Sequence, residues 1–237
     1  FHGAAVLASR GAQRAQPGLI TLFTLEPVYP VIASQLPAVL ASPWRPGQEF
    51  PSHTSAVVLG PGLASPEVPQ ELKELAGRLW HESPLPVVVD ASALAWLRPG
   101  PLSARAPRVI TPHPGEAARM LGTSSQEVQA DRLQALRRLS AGFGDCWVIL
   151  KGHQTLIGRS TGEVYVNSSG NPHLAQGGSG DVLSGYLAGL LAQPALQAEP
   201  LTTLRYAAWQ HGAAADQLQA NRRIWVVEEL IQTLGLA

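Results

Sequence analysis

The chain has 237 residues, 45% of them hydrophobic, with 17 Lys plus Arg against 17 Asp plus Glu. That length is enough to bury a full core in one large α/β domain, and the balanced charge gives no electrostatic ground for binding nucleic acid or an acidic membrane surface. The single cysteine, Cys146, excludes an intramolecular disulfide, and no apolar run is long enough to span a bilayer.

These features lead to the expectation of a cytoplasmic protein with no nucleic-acid or membrane partner. The chain opens at Phe1, without Met and already inside a helical pattern. It is therefore read as one domain over 1–237 that lacks an N-terminal piece.

Residues 3–15 carry a helical pattern, and Gly18–Thr24 reads as a strand. Residues 43–54 are a polar, Pro-rich surface connection. Ala56–Leu59 reads as a short buried strand running into Gly60-Pro61-Gly62. A helix follows over 67–82, with Leu72, Leu75 and Leu79 on one face. Val87–Asp90 is another buried strand, ending in a carboxylate. Arg108–Thr111 is the next, leading through Pro112-His113-Pro114-Gly115-Glu116 into a helix over Ala117–Leu121. A helix over 125–140 has an Arg-rich outer face at 132–138, most simply a solvated one. Trp147–Lys151 is a fourth buried strand, and Thr155–Ile157 with Glu163–Val166 forms a hairpin around Gly158–Gly162. Helices over 181–193, 201–219 and about 225–234 close the chain.

Buried strands alternating with helices predict an α/β fold with a mostly parallel sheet and helices on both faces. Ligands of such sheets sit beyond the carboxyl ends of the strands. Four strands end there in distinctive residues: Gly60-Pro61-Gly62, Asp90, Thr111-Pro112-His113 and Lys151-Gly152.

The most patterned stretch is Asn167-Ser-Ser-Gly-Asn-Pro-His-Leu-Ala-Gln-Gly-Gly-Ser-Gly-Asp181, a Gly-rich loop that turns into an amphipathic helix. The first N–H groups of a helix lack intrahelical partners and carry the positive end of its dipole, and glycines let an anion approach them. Gly178, Ser179 and Gly180 can thus cradle a phosphoryl group. Asp181 would repel phosphate as a ligand, but it can serve as a base beside that cradle. The plainer alternative is that Asp181 only caps the helix.

The remaining strand ends are individually weaker signals. Two prolines stiffen the loop that carries His113, although the same residues also read as a turn starting the next helix. Lys151 and Thr155 could meet phosphates, while the plainer reading is a strand–turn–strand. Asp90 is catalytic or caps the following helix, and capping is the simpler choice. The histidines show no metal-ligand spacing, so no protein-held metal site is expected.

In this order the residues resemble the ADP-dependent NAD(P)H-hydrate dehydratases of the ribokinase-like (Rossmann-like) superfamily. The matching stretches are Gly60–Leu63, Val88–Leu94, Ile110–Glu116, Ile149–Thr155, Gly170–Pro172 and Gly177–Asp181. The resemblance implies repair of hydrated NADH and NADPH at the expense of ADP, or of ATP in eukaryotic relatives, with Mg²⁺ on the nucleotide phosphates. It implies catalytic roles for Asp181, Gly178, Ser179 and Gly180, and nucleotide contacts from Lys151, Gly152, His153, Gln154, Thr155 and Gly180. Ala4, Gly62, His113 and Asp181 would line the hydrate pocket. It also implies a homotetramer and an NAD(P)HX epimerase, fused or separate. Ser92 and Ala64 stand where the family usually has Asp and Gly, the junction Arg14–Gly18 is altered, and Gln176 replaces a small residue or Thr. A central first strand would precede Phe1. Two alternatives share the anion cradle: an ATP-dependent kinase for a small alcohol, and a catalytically silent nucleotide-binding module.

Overall fold

Alternate residues of the central strands point to opposite faces, as the two-residue period of a strand requires. Val88, Val109 and Ile149 enter one core, and Val87, Val89, Ile110, Val148 and Leu150 enter the other. The computed structural model describes residues 2–221 and 224–236; Phe1, Arg222, Arg223 and Ala237 of the expected domain lie outside the described residues.

The main sheet has six strands in chain order: β3 (Val57–Leu59), β4 (Val87–Val89), β5 (Arg108–Ile110), β6 (Trp147–Leu150), β7 (Leu156–Gly158) and β8 (Tyr165–Val166). The first four run parallel, β7 runs antiparallel to β6, and β8 runs antiparallel to β7. One face is covered by α7 (Ser179–Leu191), α9 (Pro200–Asn221) and α10 (Val227–Thr233). The other is covered by α3 (Gln70–Glu82), α4 (Pro114–Leu121), α5 (Ser125–Ala130) and α6 (Arg132–Gly142). A short α8 (Pro194–Gln197) joins α7 to α9.

The N-terminal part differs from expectation. The expected strand over 18–24 forms as β1 (Thr21–Thr24), but among the described residues it pairs only with β2 (Leu40–Pro43), a strand the sequence had not announced, in a separate two-stranded parallel sheet. An unforeseen α2 (Tyr29–Gln35) connects them and buries Ile32. Proline at positions 30, 37 and 43 hid both elements. A cavity of about 510 Å³ lies between β1 and β3, lined by both strands, by α1 (His2–Arg14) and by α7.

Helix α1 packs closely on α7. A Cβ on Gly185 would fall 1.9 Å from Ala8 O, and one on Gly11 2.4 Å from Val182 O. Leu7 meets Gly178, and Ala12 meets Gly189, so the two helices run parallel.

Further boundaries are corrected. The helix expected over 125–140 breaks at Asp131, whose backbone leaves the helical region while its side chain accepts from Gln134 N–H. The helix expected from 67 begins only at Gln70, with Pro69 at its N-cap. The ring of Pro69 disfavours helical backbone at Val68, which delays the start. The 3₁₀ turn Ala91–Trp96 replaces a helix after Asp90, and the helix expected over 117–121 begins already at Pro114. The last helices begin at Ser179, Pro200 and Val227.

Candidate active site

The parallel strands finish in register, and their ends are stitched together. Asp90 N–H donates to Leu59 O (3.0 Å), Thr111 N–H to Val89 O (3.2 Å) and Lys151 N–H to Pro112 O (2.9 Å). The distinctive residues at four strand ends therefore meet along one edge.

Lys151 reaches back across that edge. Its Nζ lies 2.8 Å from Asp90 Oδ1 and 3.8 Å from Glu116 Oε2, with the Asp90 side chain only 2% exposed. Burial works against the ammonium, but Asp90, Glu116 and Asp181 outweigh it and hold the lysine pKa above its ordinary value. Capping was the simpler reading for Asp90; the structure corrects it, because Asp90 makes no side-chain cap and its carboxylate is committed to Lys151. Gly60, at φ 119°, lets the end of β3 press on this residue: a Cβ there would fall 1.7 Å from Asp90 O.

The N-terminus of α7 closes on the same pair. Gly178 adopts φ 94° at the N-cap and no side chain caps the helix. The first intrahelical bond runs from Val182 N–H to Gly178 O (3.0 Å), so the N–H groups of Ser179, Gly180 and Asp181 precede the helical ladder, with Ser179 N–H making a long bond to Gln176 O (3.5 Å). A Cβ on Gly180 would lie 3.1 Å from Lys151 Nζ and 3.9 Å from Asp90 Oδ2. Burial, with Asp90 next in weight, pushes the Asp181 carboxyl up to about 6. That places it near the range where a carboxylate works as a base at neutral pH. Asp181 sits in the first turn without forming a cap.

His113 takes the helix-starting role that its loop suggested. Its Nδ1 accepts from Gly115 N–H (3.0 Å) and Glu116 N–H (3.3 Å), while Glu116 Oε2 accepts from His113 N–H (2.8 Å), a capping box that starts α4. Burial holds the ring pKa below its usual value despite Glu116. The accepting Nδ1 leaves Nε2 as the protonated nitrogen, 3.5 Å from Glu116 Oε1, on a side chain that is 51% exposed.

The turn from Lys151 to Thr155 is braced from below. Gly152 and Gln154 take positive φ (138° and 54°), and Thr155 Oγ1 donates to Gly152 O (3.1 Å). Arg132 donates to Leu150 O (3.0 Å), Lys151 O (3.4 Å) and His153 O. Arg137 donates to the carbonyls of Arg159, Ser160 and Gly162. The expected solvated face of this helix is thus corrected for Arg132 and Arg137, which hold loops.

Ala4 lies in the first turn of α1, which the parallel packing brings beside the first turn of α7. Gly62, at φ 83°, lies in the turn after β3 and is the one expected site residue that lines the large cavity. The cavity is therefore distinct from the charged cluster and adjoins it at Gly60–Leu63. Sequence reasoning made Asp90 a cap and placed Glu116 only at a helix start, and so missed both as partners of Lys151. A carboxylate ending one buried strand and a lysine ending another were the available signal.

A family model described as NAD(P)H-hydrate dehydratase matches residues 1–234. The chain belongs to this family.

An ADP-dependent (S)-NAD(P)H-hydrate dehydratase of Neisseria meningitidis serogroup B is 43% identical over 175 residues, covering 72% of this chain and 57% of the relative. A bifunctional NAD(P)H-hydrate repair enzyme of Gloeobacter violaceus is 36% identical over 250 residues, covering 100% of this chain and 46% of the relative. The chain thus spans about half the length of these curated relatives. An ADP/ATP-dependent NAD(P)H-hydrate dehydratase of Bacillus subtilis, co-crystallised with ATP and Mg²⁺, superposes with a TM-score of 0.82 at 31% identity, covering 98% of this chain and 83% of that one. The fold is the ribokinase-like one, since a ribokinase-like superfamily protein of Enterococcus faecalis superposes with a TM-score of 0.77 at 22% identity, covering 99% of this chain and 81% of that one. Among the described residues, no helix is long and apolar enough to cross a membrane.

Proposed function

We propose that this chain restores hydrated NADH and NADPH by ADP-dependent dehydration. The observation that carries the reading is the convergence of a raised-pKa carboxylate, Asp181, on a glycine-lined helix N-terminus beside Lys151. In the first step Asp181 takes the proton of the C6 hydroxyl as its oxygen attacks the terminal phosphorus of ADP. The bond to the bridging oxygen breaks, and AMP departs. The N–H groups of Ser179, Gly180 and Asp181, with Gly178 giving access, hold the transferring group. The C6–O bond then breaks with push from the ring nitrogen, phosphate leaves, and loss of the C5 proton restores the reduced ring.

Lys151 neutralises nucleotide phosphates, and the turn Gly152-His153-Gln154-Thr155 frames them. His113 offers Nε2–H to the hydrate, beside Gly62 and Ala4. Among the described residues no group of three His, Cys, Asp or Glu is placed to hold a metal. Asp90 and Glu116 face Lys151, which fits an Mg²⁺ carried by the nucleotide phosphates and water rather than a resident ion. Such an ion would neutralise phosphate charge during transfer.

The same proposal includes a cytoplasmic setting, a homotetramer and an epimerase partner, fused or separate. It also treats residues 1–237 as a single domain. Product analysis tests the reaction. Dehydration releases one AMP and one free phosphate per hydrate consumed, whereas a small-alcohol kinase leaves the phosphate on its product. Transfer without free phosphate would contradict the proposal.

A further inference from the structure

The loop between β8 and α7 is docked on α9 at both of its ends. At its start Asn167 Nδ2 donates to Ala208 O (3.3 Å) and Ser169 Oγ donates to Trp209 O (2.7 Å). The chain crosses α9 over Gly212, where a Cβ would fall 2.3 Å from Ser169 Oγ and 2.6 Å from its carbonyl carbon. One turn further along the same stripe, the Asp216 carboxylate accepts from Gly170 N–H (2.7 Å) and Asn171 Nδ2 (3.0 Å).

The contacts then run on to the glycines. Asn171 Oδ1 accepts from His173 N–H (3.1 Å) and caps the 3₁₀ turn Pro172–Leu174. Leu174 O accepts from Ser179 Oγ (2.6 Å). Ser179 O returns to α9, 3.0 Å from His211 Nε2. A carbonyl can only accept, so this nitrogen carries the ring proton. Burial pushes the buried His211 down to about 4, which keeps the ring neutral in this role.

We propose that Asp216 and His211 are positioning residues of the active site, holding the glycine loop at Gly170–Asn171 and again at Ser179. They thereby set where the N–H groups of Ser179, Gly180 and Asp181 and the Asp181 carboxylate stand. What is positioned rests on the dehydratase reading, while the docking itself does not. The device is needed because no side chain caps α7, so the direction of its first turn depends on Ser179 and on the loop before it. Hydrogen bonds to a carboxylate are stronger than neutral ones, and a fully satisfied polar circuit rigidifies its members.

The polarity of the Asn171–Asp216 contact supplies a specific test. Asp216→Asn turns an amide toward the Asn171 amide and loses that bond. Adding Asn171→Asp restores it, because residue 171 still accepts from His173 N–H and residue 216 still accepts from Gly170 N–H. In the full chain, Asp216→Asn is expected to lower kcat roughly tenfold, the effect of one lost charge-assisted hydrogen bond. Amide exchange at 170–181 should quicken by a similar factor, with the β6 amides unchanged. The double variant should recover both quantities. Unchanged kcat and exchange in Asp216→Asn, or a double variant no better than the single one, would overturn the proposal. His211→Leu against His211→Gln gives an independent arm should Asp216→Asn not fold: only Gln can still donate to Ser179 O, so only Gln should retain kcat, and equal loss in both contradicts the proposal. Should the wild-type protein show no dehydration at all, the dehydratase reading fails, and the exchange comparison still decides the docking.

Discussion

Lys151 Nζ is held 2.8 Å from Asp90 Oδ1, although 61 residues separate the two in the chain. Asp90 follows β4 and Lys151 follows β6, so the pair spans β5 and depends on the register of three strands. Within this cluster Asp90 both anchors the lysine and raises the pKa of Asp181.

Replacing Asp90 separates those effects. Asp90→Asn leaves a buried ammonium without its main partner and is expected to destabilise the chain by about 3 kcal/mol. Loss of the negative charge also lets the Asp181 carboxyl ionise more readily. The acid limb of the kcat profile, expected near the Asp181 value of about 6 in the unmodified chain, should move to lower pH. Urea unfolding and a pH–rate profile check the two outcomes.

Asp181→Asn should abolish turnover and stabilise the fold. A carboxyl with a higher pKa folded than unfolded binds its proton more tightly in the native state. Its contribution to stability is therefore full below the unfolded value of 3.8 and is lost as pH rises through about 6. At pH 8 the ionised side chain opposes folding, and Asn removes that opposition, a gain on the order of 2 kcal/mol. The gain should fade as pH is lowered toward about 4. Urea midpoints at several pH values measure it.

Two glycines of the site should respond differently to alanine. Gly60→Ala places a Cβ 1.7 Å from Asp90 O at a positive φ, so it is expected to cost several kcal/mol, roughly 3 or more, and to disturb the Lys151 anchor. In Gly180→Ala the nearest atom is the flexible end of Lys151 at 3.1 Å. That chain should fold with near-normal stability and bind nucleotide more weakly. Thermal unfolding with and without ADP distinguishes the two.

Parts of this site were legible because they are local. Each central strand is a short continuous apolar run, so the strand ends, and with them Gly60, Asp90, His113 and Lys151, could be aligned from the sequence. The glycine loop announced α7 in the same way. Partnerships across the chain were not legible. Asp90 reads as a cap because the residues beside it are helical in pattern, and only the sheet order brings Lys151 to it. Arg132 reads as a surface charge because its targets are backbone carbonyls at 150–153, which carry no signal in sequence. The break at Asp131 is hidden for a similar reason, since its flanks both continue a helical pattern.

Arg132→Ala tests the brace under the phosphate turn. It removes donors to three carbonyls without touching Asp181 or Lys151 Nζ. KM for the nucleotide is expected to rise about tenfold, with kcat altered far less, a loss near one charged hydrogen bond. A kcat loss without a change in KM would place Arg132 in the chemistry instead.

The most direct measurement of the central claim is recovery of the near-ultraviolet absorbance of reduced nicotinamide from hydrated NADH, with Mg²⁺ and either ADP or ATP. The expected result is a rise with ADP in the unmodified chain that vanishes in Asp181→Asn while that variant remains folded. No rise with either nucleotide, in a chain that still binds them, would contradict the assignment of dehydration to this site.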